Sequence, residues 1–294
     1  MPNVPQEYTV LNTVIKVDNN ALYEGYYSVF DGILSKFLKL LAKNKRIGNY
    51  LFSLSNECQE IKKFAATHKA LEIIYTHNLY KPVNIIDAVA SKFWLNIKNG
   101  RAARNRLKLV KRELKSFFSS ITKDEINILS VGSGSARAII ESIHEFNDKK
   151  FNLMLIDISE DALEYSRELA DRLGIRSIIL KKGNVLRLRN LCKGFTPDVI
   201  EMVGLLDYFG DRQVSLILRQ VAEILPPNGI FITCNIRNNP EKVFLDNIIE
   251  WNGMFYREPQ ELIALLQRNF PYVYIVYEPL GIHGVIVANE RLLV

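Results

Sequence analysis

Two glycines, Gly132 and Gly134, lie one residue apart between an apolar stretch and a helix-forming stretch. Residues 126–131 are mostly strand-forming, and residues 136–146 read as a helix. A turn between a buried strand and a helix N-terminus brings free backbone N–H groups close to a ligand. The spacing therefore predicts a ligand-binding turn.

The position of a third glycine separates two kinds of ligand. Dinucleotide-binding turns have the pattern Gly-x-Gly-x-x-Gly, whose third glycine lets helix and strand pack closely. Arg137 occupies that third position here. The turn is therefore only weak evidence for binding of a nicotinamide dinucleotide. A nucleotide-dependent oxidoreductase stays open as an alternative.

The order of strands and helices around this turn predicts the fold. From residue 126 the two alternate, which indicates a parallel sheet with helices on both faces. The last two predicted strands, residues 272–277 and 285–288, have too short a connection for a right-handed crossover, so they must form an antiparallel hairpin. We predict an α/β, Rossmann-like, seven-stranded, mostly parallel sheet with a reversed final strand.

The residues before the sheet show helical spacing of apolar side chains. Three stretches carry it: residues 20–43, 56–77 and 83–94. Residues 1–18 fit either a strand or an extended arm. We predict an all-helical N-terminal cap or lid over residues 1–98 and an α/β domain over residues 99–294.

Composition places the chain among ordinary globular proteins. Of 294 residues, 48% are apolar and 24% charged, and no run of about 18 apolar residues occurs. The first residues lack the shape of a signal peptide. Three scattered cysteines show no metal-ligand spacing. We expect a cytoplasmic protein with reduced thiols and no metal.

Basic residues concentrate in one predicted helix. Residues 101–115 contain seven Lys or Arg and one acid, Glu113. Apolar residues recur there at intervals of four and three, which indicates an amphipathic helix with a basic outer face. That face is either solvated or a surface for an acidic partner or a phosphate-bearing substrate.

The ordered set of motifs over residues 96–294 resembles the class I S-adenosylmethionine-dependent methyltransferases. Gly132, Ser133 and Gly134 match the loop under the cofactor, and Asp157 matches the acid that accepts hydrogen bonds from both ribose hydroxyls. The resemblance implies further cofactor contacts at Ile158, Asn184, Val185, Met202 and Val203. Two positions depart from the family pattern: Ser130 replaces a common acid, and Ala136 replaces a glycine.

The acceptor of the methyl group is less well marked. The nucleobase-methylating branches carry Asn/Asp-Pro-Pro-aromatic or Pro-Cys at the end of the fourth strand, and neither is present. Residues 204–209, 235–240, 246–251 and 256–257 show a fainter similarity to a bacterial subgroup whose members include proteins for making hydroxy-fatty-acid methyl esters. This similarity implies a small-molecule or lipid-like acid as acceptor. The predicted substrate-binding residues are Asn235, Trp251, Tyr256 and Arg257.

Methyl transfer requires positioning above all, and a hydroxyl or amine acceptor also requires a base, whereas a carboxylate does not. The candidates for catalysis are Glu201, Asp207, Tyr208 and His77. His283 could line the site, and the segment 101–106 could bind the cofactor carboxylate. Two alternatives remain, a catalytically silent scaffold that binds an acidic partner and a nucleic-acid methyltransferase.

Overall fold

The computed structural model describes residues 7–10, 12–20, 22–25, 28–146 and 148–290. Its strands are β1 Glu7–Val10, β2 Thr13–Val17, β3 Glu125–Val131, β4 Lys150–Asp157, β5 Ile178–Lys182, β6 Val199–Met202, β7 Ile230–Ile236, β8 Tyr272–Tyr277 and β9 His283–Asn289. They form one nine-stranded sheet in the order β1-β2-β8-β9-β7-β6-β3-β4-β5.

Strands β3 to β9 form the seven-stranded sheet expected from the sequence. Strands β3 to β7 pair in parallel, while β9 pairs antiparallel with both β7 and β8. Every residue of β6 and β7 is buried, as expected for strands covered on both faces. The mostly parallel sheet with a reversed final strand is confirmed.

The N-terminal residues extend this sheet before any helix begins. Strand β2 pairs in parallel with β8, with Ile15 opposite Ile275, and β1 pairs antiparallel with β2. Ile15 is fully buried. For residues 1–18 the sequence allowed either a strand or an extended arm, and the structure shows strands over residues 7–10 and 13–17. The N-terminal part is therefore not helical throughout.

Helices cover both faces of the sheet and build the N-terminal part. They are α1 Ser28–Lys43, α2 Lys45–Phe52, α3 Asn56–Lys63, α4 His68–Thr76, α5 Ile85–Leu95, α6 Lys98–Ser120, α7 Arg137–His144, α8 Glu160–Arg172, α9 Leu188–Leu191, α10 Asp211–Ile224, α11 Lys242–Phe244 and α12 Pro259–Leu266. Within the described ranges, none is long and apolar enough to cross a bilayer.

The helix expected over residues 56–77 is two helices, α3 and α4. Ala66 between them has a φ of 61°, in the left-handed region, which a continuous helix cannot contain. Ser55 caps α3, because its hydroxyl oxygen accepts a hydrogen bond from the Cys58 N–H at 3.2 Å. The predicted cap, Asn56, is the first residue of the helix.

The basic helix α6 differs most from its sequence prediction. Its apolar stripe is buried as expected, but Arg101, Arg104 and Arg106 are buried as well. Arg101 pairs with Asp31, and Arg104 pairs with Glu24. The prediction of a basic outer face was therefore wrong for the first turns of α6, because these turns lie inside the protein.

Candidate functional site

The glycine turn between β3 and α7 has a backbone that glycine adopts most readily. Gly132 and Gly134 have φ angles of 61° and 53°, in the left-handed region. A Cβ atom on Gly132 would lie 2.6 Å from Cδ2 of Leu205. The Gly132 N–H donates to the carbonyl oxygen of Ile156 at 2.8 Å, which holds the turn against the end of β4. Conformation therefore favours glycine at both positions, and an added Cβ atom on Gly132 would also displace the Leu205 side chain.

The Asp157 carboxylate ends β4 and faces this turn. Its Oδ2 accepts a hydrogen bond from the Gly134 N–H, and its Oδ1 accepts one from the Ser159 N–H, each at 2.9 Å. An ionised carboxylate can accept about four hydrogen bonds, so capacity remains for a ligand. The nearby Ser133 hydroxyl is buried without a partner among the described residues. A polar ligand could satisfy both groups.

An open cleft extends from the glycine turn over the carboxyl ends of β3, β4, β5 and β6. The predicted residues that line it are Gly132, Ser133, Gly134, Asp157, Ile158, Asn184, Val185, Glu201, Val203, Tyr208 and Trp251. Met202 is fully buried in the core and does not line this cleft. Successive strand residues point to opposite faces, so Met202 points away from the side used by Glu201 and Val203. Its predicted place in the site is corrected.

A second, mostly apolar cavity lies behind the cleft, against the N-terminal helices. Its apolar walls include Phe52, Ile61, Ile74, Trp94, Leu245 and Met254. The two spaces share five residues: Leu71, Arg106, Gly204, Tyr208 and Trp251. The inner cavity and the cleft therefore meet just beyond the end of β6.

The buried guanidinium of Arg106 lies at that junction. Its Nη2 donates to the Tyr75 hydroxyl at 2.8 Å, and its Nη1 lies 3.9 Å from Sγ of Cys234. The sequence placed Arg106 in a basic segment that could bind the cofactor carboxylate, and it missed Tyr75 altogether. The four-residue spacing of Leu71 and Tyr75 on one face of α4 is the signal that could have identified the second.

Two buried carboxylic acids adjoin the site from different sides. Glu201 lines the cleft, and its Oε2 accepts a hydrogen bond from the Ser130 hydroxyl at 2.5 Å. Asp207 lines the inner cavity, and its Oδ1 accepts one from the Ile236 N–H at 3.0 Å. Burial raises the pKa of Glu201 to about 7 and the pKa of Asp207 to about 6. Both can exchange a proton near neutral pH.

Tyr208 and Trp251 form a hydrogen-bonded pair between the two spaces. The Trp251 indole N–H donates to the Tyr208 hydroxyl oxygen at 2.7 Å. Burial raises the pKa of Tyr208 to about 12, so the phenol is protonated at neutral pH. The pair can fix the orientation of a bound molecule and does not itself supply an anionic base.

Besides Met202, four predicted residues line neither space. These are His77, Asn235, Tyr256 and Arg257. The Asn235 amide donates to the carbonyl oxygen of Ile236 at 2.7 Å, and Arg257 donates to that of Phe209 at 2.6 Å. Tyr256 packs against Lys242, and His77 lies in a short turn after α4. This placement corrects the site predicted from the sequence, because these side chains contact the framework instead.

The chain also matches a known family over much of this region. Residues 122–273, more than half of the chain, match a family model described as a methyltransferase domain. The chain belongs to this methyltransferase family. Membership confirms the resemblance to S-adenosylmethionine-dependent methyltransferases, and with it the enzyme class and the cofactor. No curated protein sequence matches this methyltransferase.

Solved structures share the fold of the methyltransferase at low sequence identity. A possible exported protein of Bordetella parapertussis is 14% identical, with a TM-score of 0.65 over 91% of this chain and 100% of that one. The magnesium protoporphyrin IX methyltransferase of Synechocystis PCC 6803, solved with S-adenosylhomocysteine, is 10% identical, with a TM-score of 0.52 over 72% and 90%. These likenesses establish the Rossmann-like methyltransferase fold.

Proposed function

We propose that this methyltransferase acts on a small molecule whose apolar part lies in the inner cavity. The cavity itself supports this, because it adjoins the cleft at Tyr208 and Trp251 and its walls are mostly apolar. An apolar pocket with a few polar groups suits a small ligand. A nucleic acid instead requires cationic groups along its phosphates. An amphipathic or carboxylic acid acceptor fits these walls.

The residues of the cleft fit the methionine and ribose parts of S-adenosylmethionine. Gly132 and Gly134 allow the ligand to approach the backbone closely, and the Ser133 hydroxyl, which no described residue satisfies, can bond to it. Asp157 keeps acceptor positions for the ribose hydroxyls after its two backbone hydrogen bonds. We assign these four residues to the sugar and amino-acid portions of the cofactor.

The far end of the cleft fits the adenine. Ile158 has 67% of its surface exposed although it is apolar, and a stacked base would cover it. Val185 lies across the same cleft. The Asn184 side-chain oxygen accepts a hydrogen bond from the Leu186 N–H at 2.9 Å, which leaves its amide nitrogen free to point toward the base. We assign these residues and Val203 to the cofactor.

The chemistry divides between cofactor and chain. S-adenosylmethionine supplies a methyl group that its sulfonium already activates. The chain must position the acceptor, which can lower a barrier by roughly 7–11 kcal/mol in favourable cases. Where the acceptor atom carries a proton, Asp207 is the base that faces the inner cavity. Glu201 lies on the cofactor side, and Tyr208 with Trp251 orients the acceptor.

Filling the inner cavity tests this assignment. Ala103→Leu adds three carbons to a wall of the cavity, so methyl transfer to a small-molecule extract should fall while binding of S-adenosylhomocysteine stays unchanged. Ala222→Leu, on α10 and lining neither space, is the matched control. Equal transfer by both variants would place the acceptor elsewhere.

A scaffold that binds an acidic partner through residues 101–115 has lost its main support. Arg101, Arg104 and Arg106 are buried, and two of them already pair with acids of the chain. The cytoplasmic location and the cap boundary at residue 98 stay predictions.

A further inference from the structure

Arg106 differs from the two other buried arginines of α6 in its partners. Arg101 pairs with Asp31, and Arg104 donates to both oxygens of Glu24, at 2.7 and 2.6 Å. Arg106 is 4% exposed and, within the described chain, has no carboxylate within 4.0 Å. Its Nε has no hydrogen-bond partner there either.

A buried guanidinium in this state is costly, because its charge and its five N–H donors have left water without full compensation. Asp207 and Glu201 do not pair with this charge. Asp207 accepts from the Ile236 N–H, and Glu201 accepts from the Ser130 hydroxyl. Arg106 lines both the cleft and the inner cavity, so a ligand in either space would lie against this side chain.

The position of Arg106 in the fold assigns it to the acceptor side of the site. It touches Cys234 on β7, and a Cβ atom on Gly204 would lie 3.7 Å from its Nη1. The glycine turn and Asp157 follow β3 and β4, and β6 separates β3 from β7. Two strand spacings amount to roughly 10 Å, so Cys234 on β7 and Gly204 after β6 place Arg106 on the side of the site away from Asp157.

His283 supplies a second polar group without a partner on the same wall. It begins β9, opposite Ile236 at the end of β7, and it lines the inner cavity. Its Nδ1 is buried without a hydrogen-bond partner in the described chain. Burial, and secondarily the charge of Arg106, hold the pKa of His283 well below its usual value, so the ring is neutral.

We propose that Arg106 binds the carboxylate of the acceptor, which is a monoanionic amphipathic acid with its apolar chain in the inner cavity. The planar guanidinium matches a carboxylate through two parallel hydrogen bonds. The Tyr75 hydroxyl, on the cleft side, fixes the guanidinium by accepting a hydrogen bond from its Nη2, and His283 offers a further polar contact. A phosphate dianion fits less well, because one arginine among apolar walls leaves half of its charge unpaired. This inference rests on the proposed function.

The two tryptophans of the chain, Trp94 and Trp251, both line the inner cavity, so intrinsic fluorescence reports its occupancy directly. The protein is first saturated with S-adenosylhomocysteine and then titrated with octanoate, or with 1-octanol as an uncharged probe of equal chain length. We expect octanoate to bind roughly tenfold or more tightly than 1-octanol. Equal affinities in the wild-type chain overturn the proposal.

Variants assign the preference to one side chain. Arg106→Met should abolish the preference for octanoate and leave the affinity for 1-octanol and S-adenosylhomocysteine unchanged, whereas Arg106→Lys should keep part of it. Arg104→Met is the matched control, because Arg104 is a buried arginine of the same helix that lines neither space. A preference that survives Arg106→Met, or a loss of cofactor affinity in that variant, overturns the assignment. Failure of the wild-type chain to bind S-adenosylhomocysteine would instead refute the proposed function.

Discussion

The Asp157 carboxylate is oriented before any ligand binds, because two backbone N–H groups already donate to it. Its remaining lone pairs are the acceptors that we assign to the ribose hydroxyls. Asp157→Ala removes a charged acceptor, and we expect the affinity for S-adenosylhomocysteine to fall roughly 10- to 100-fold in isothermal titration.

The control for Asp157 is Asp171→Ala, which removes an exposed acid at the end of α8 and should leave the affinity unchanged. If Asp157→Ala binds S-adenosylhomocysteine as tightly as the wild-type chain, Asp157 has no role at the ribose.

Glu201 makes the stability of the protein depend on pH. Its pKa rises from 4.5 to about 7 on folding, because burial disfavours the charged form. The folded chain therefore holds a proton that the unfolded chain releases in this window, and stability falls as the pH rises from 4.5 to 7. Glu201→Gln cannot ionise, so its unfolding free energy should gain about 3 kcal/mol relative to wild type across the window.

Urea unfolding at several pH values measures this difference. Glu168→Gln, which changes an exposed carboxylate of α8, is the control and should run parallel to the wild-type curve. A parallel curve for Glu201→Gln would show that Glu201 ionises normally in the folded protein.

Individual site residues could be predicted where the signal was local in sequence. The glycine turn and Asp157 follow directly from short motifs, and they lie together in the cleft. Asn235 lies near the end of β7 and Arg257 comes after that strand, but both bond to the framework. Arg106 could not be assigned from its spacing, because its role depends on lacking the acidic partner that Arg104 has in Glu24.

At the scale of elements, the turn between β3 and α7 depends on packing against Leu205 as well as on backbone conformation. Gly132 and Gly174 both have positive φ, but only Gly132 has a side chain within 4 Å of an added Cβ atom. Gly174→Ala should therefore cost about 1 kcal/mol, from conformation alone. Gly132→Ala should cost roughly 1–3 kcal/mol more and weaken binding of S-adenosylhomocysteine.

Chemical denaturation and cofactor titration of both alanine variants give the comparison. Equal destabilisation by the two would show that Leu205 moves aside without cost. Unchanged cofactor affinity in Gly132→Ala would show that the ligand does not approach this turn.

The strands and helices after residue 126 were predictable because each is specified by neighbouring residues. The first turns of α6 were not. The spacing of their residues fits a helix with a charged outer face. The charges can be buried because they pair with Asp31 and Glu24, about 70 to 80 residues away. A pattern read along one helix contains no information about such distant partners.

At the scale of the whole molecule, the N-terminal helices share their core with residues that follow β7. Phe244 and Ile248 are buried against α1, α2 and α5, and the Phe244 ring stacks on Trp94 with centroids 5.3 Å apart. The cap is thus completed by the C-terminal half, which also supplies walls of the inner cavity.

This shared core predicts that cap and sheet unfold together. Phe244→Ala should destabilise the protein by roughly 3–5 kcal/mol, because it opens a void in a buried aromatic cluster. Its neighbour Val243 is 47% exposed, so Val243→Ala should change stability little. Far-ultraviolet circular dichroism and tryptophan fluorescence should report one coincident transition for both variants. Separate transitions would show that the cap is an independent unit.

Transfer of a labelled methyl group from S-adenosylmethionine to a metabolite extract, with mass spectrometry of the product, tests the central proposal most directly. We predict that the label enters a small amphipathic acid or its ester, and that Asp157→Ala and Ala103→Leu each reduce the transfer. Label found only in nucleic acid or protein, or no transfer by a chain that binds S-adenosylhomocysteine, would contradict the account.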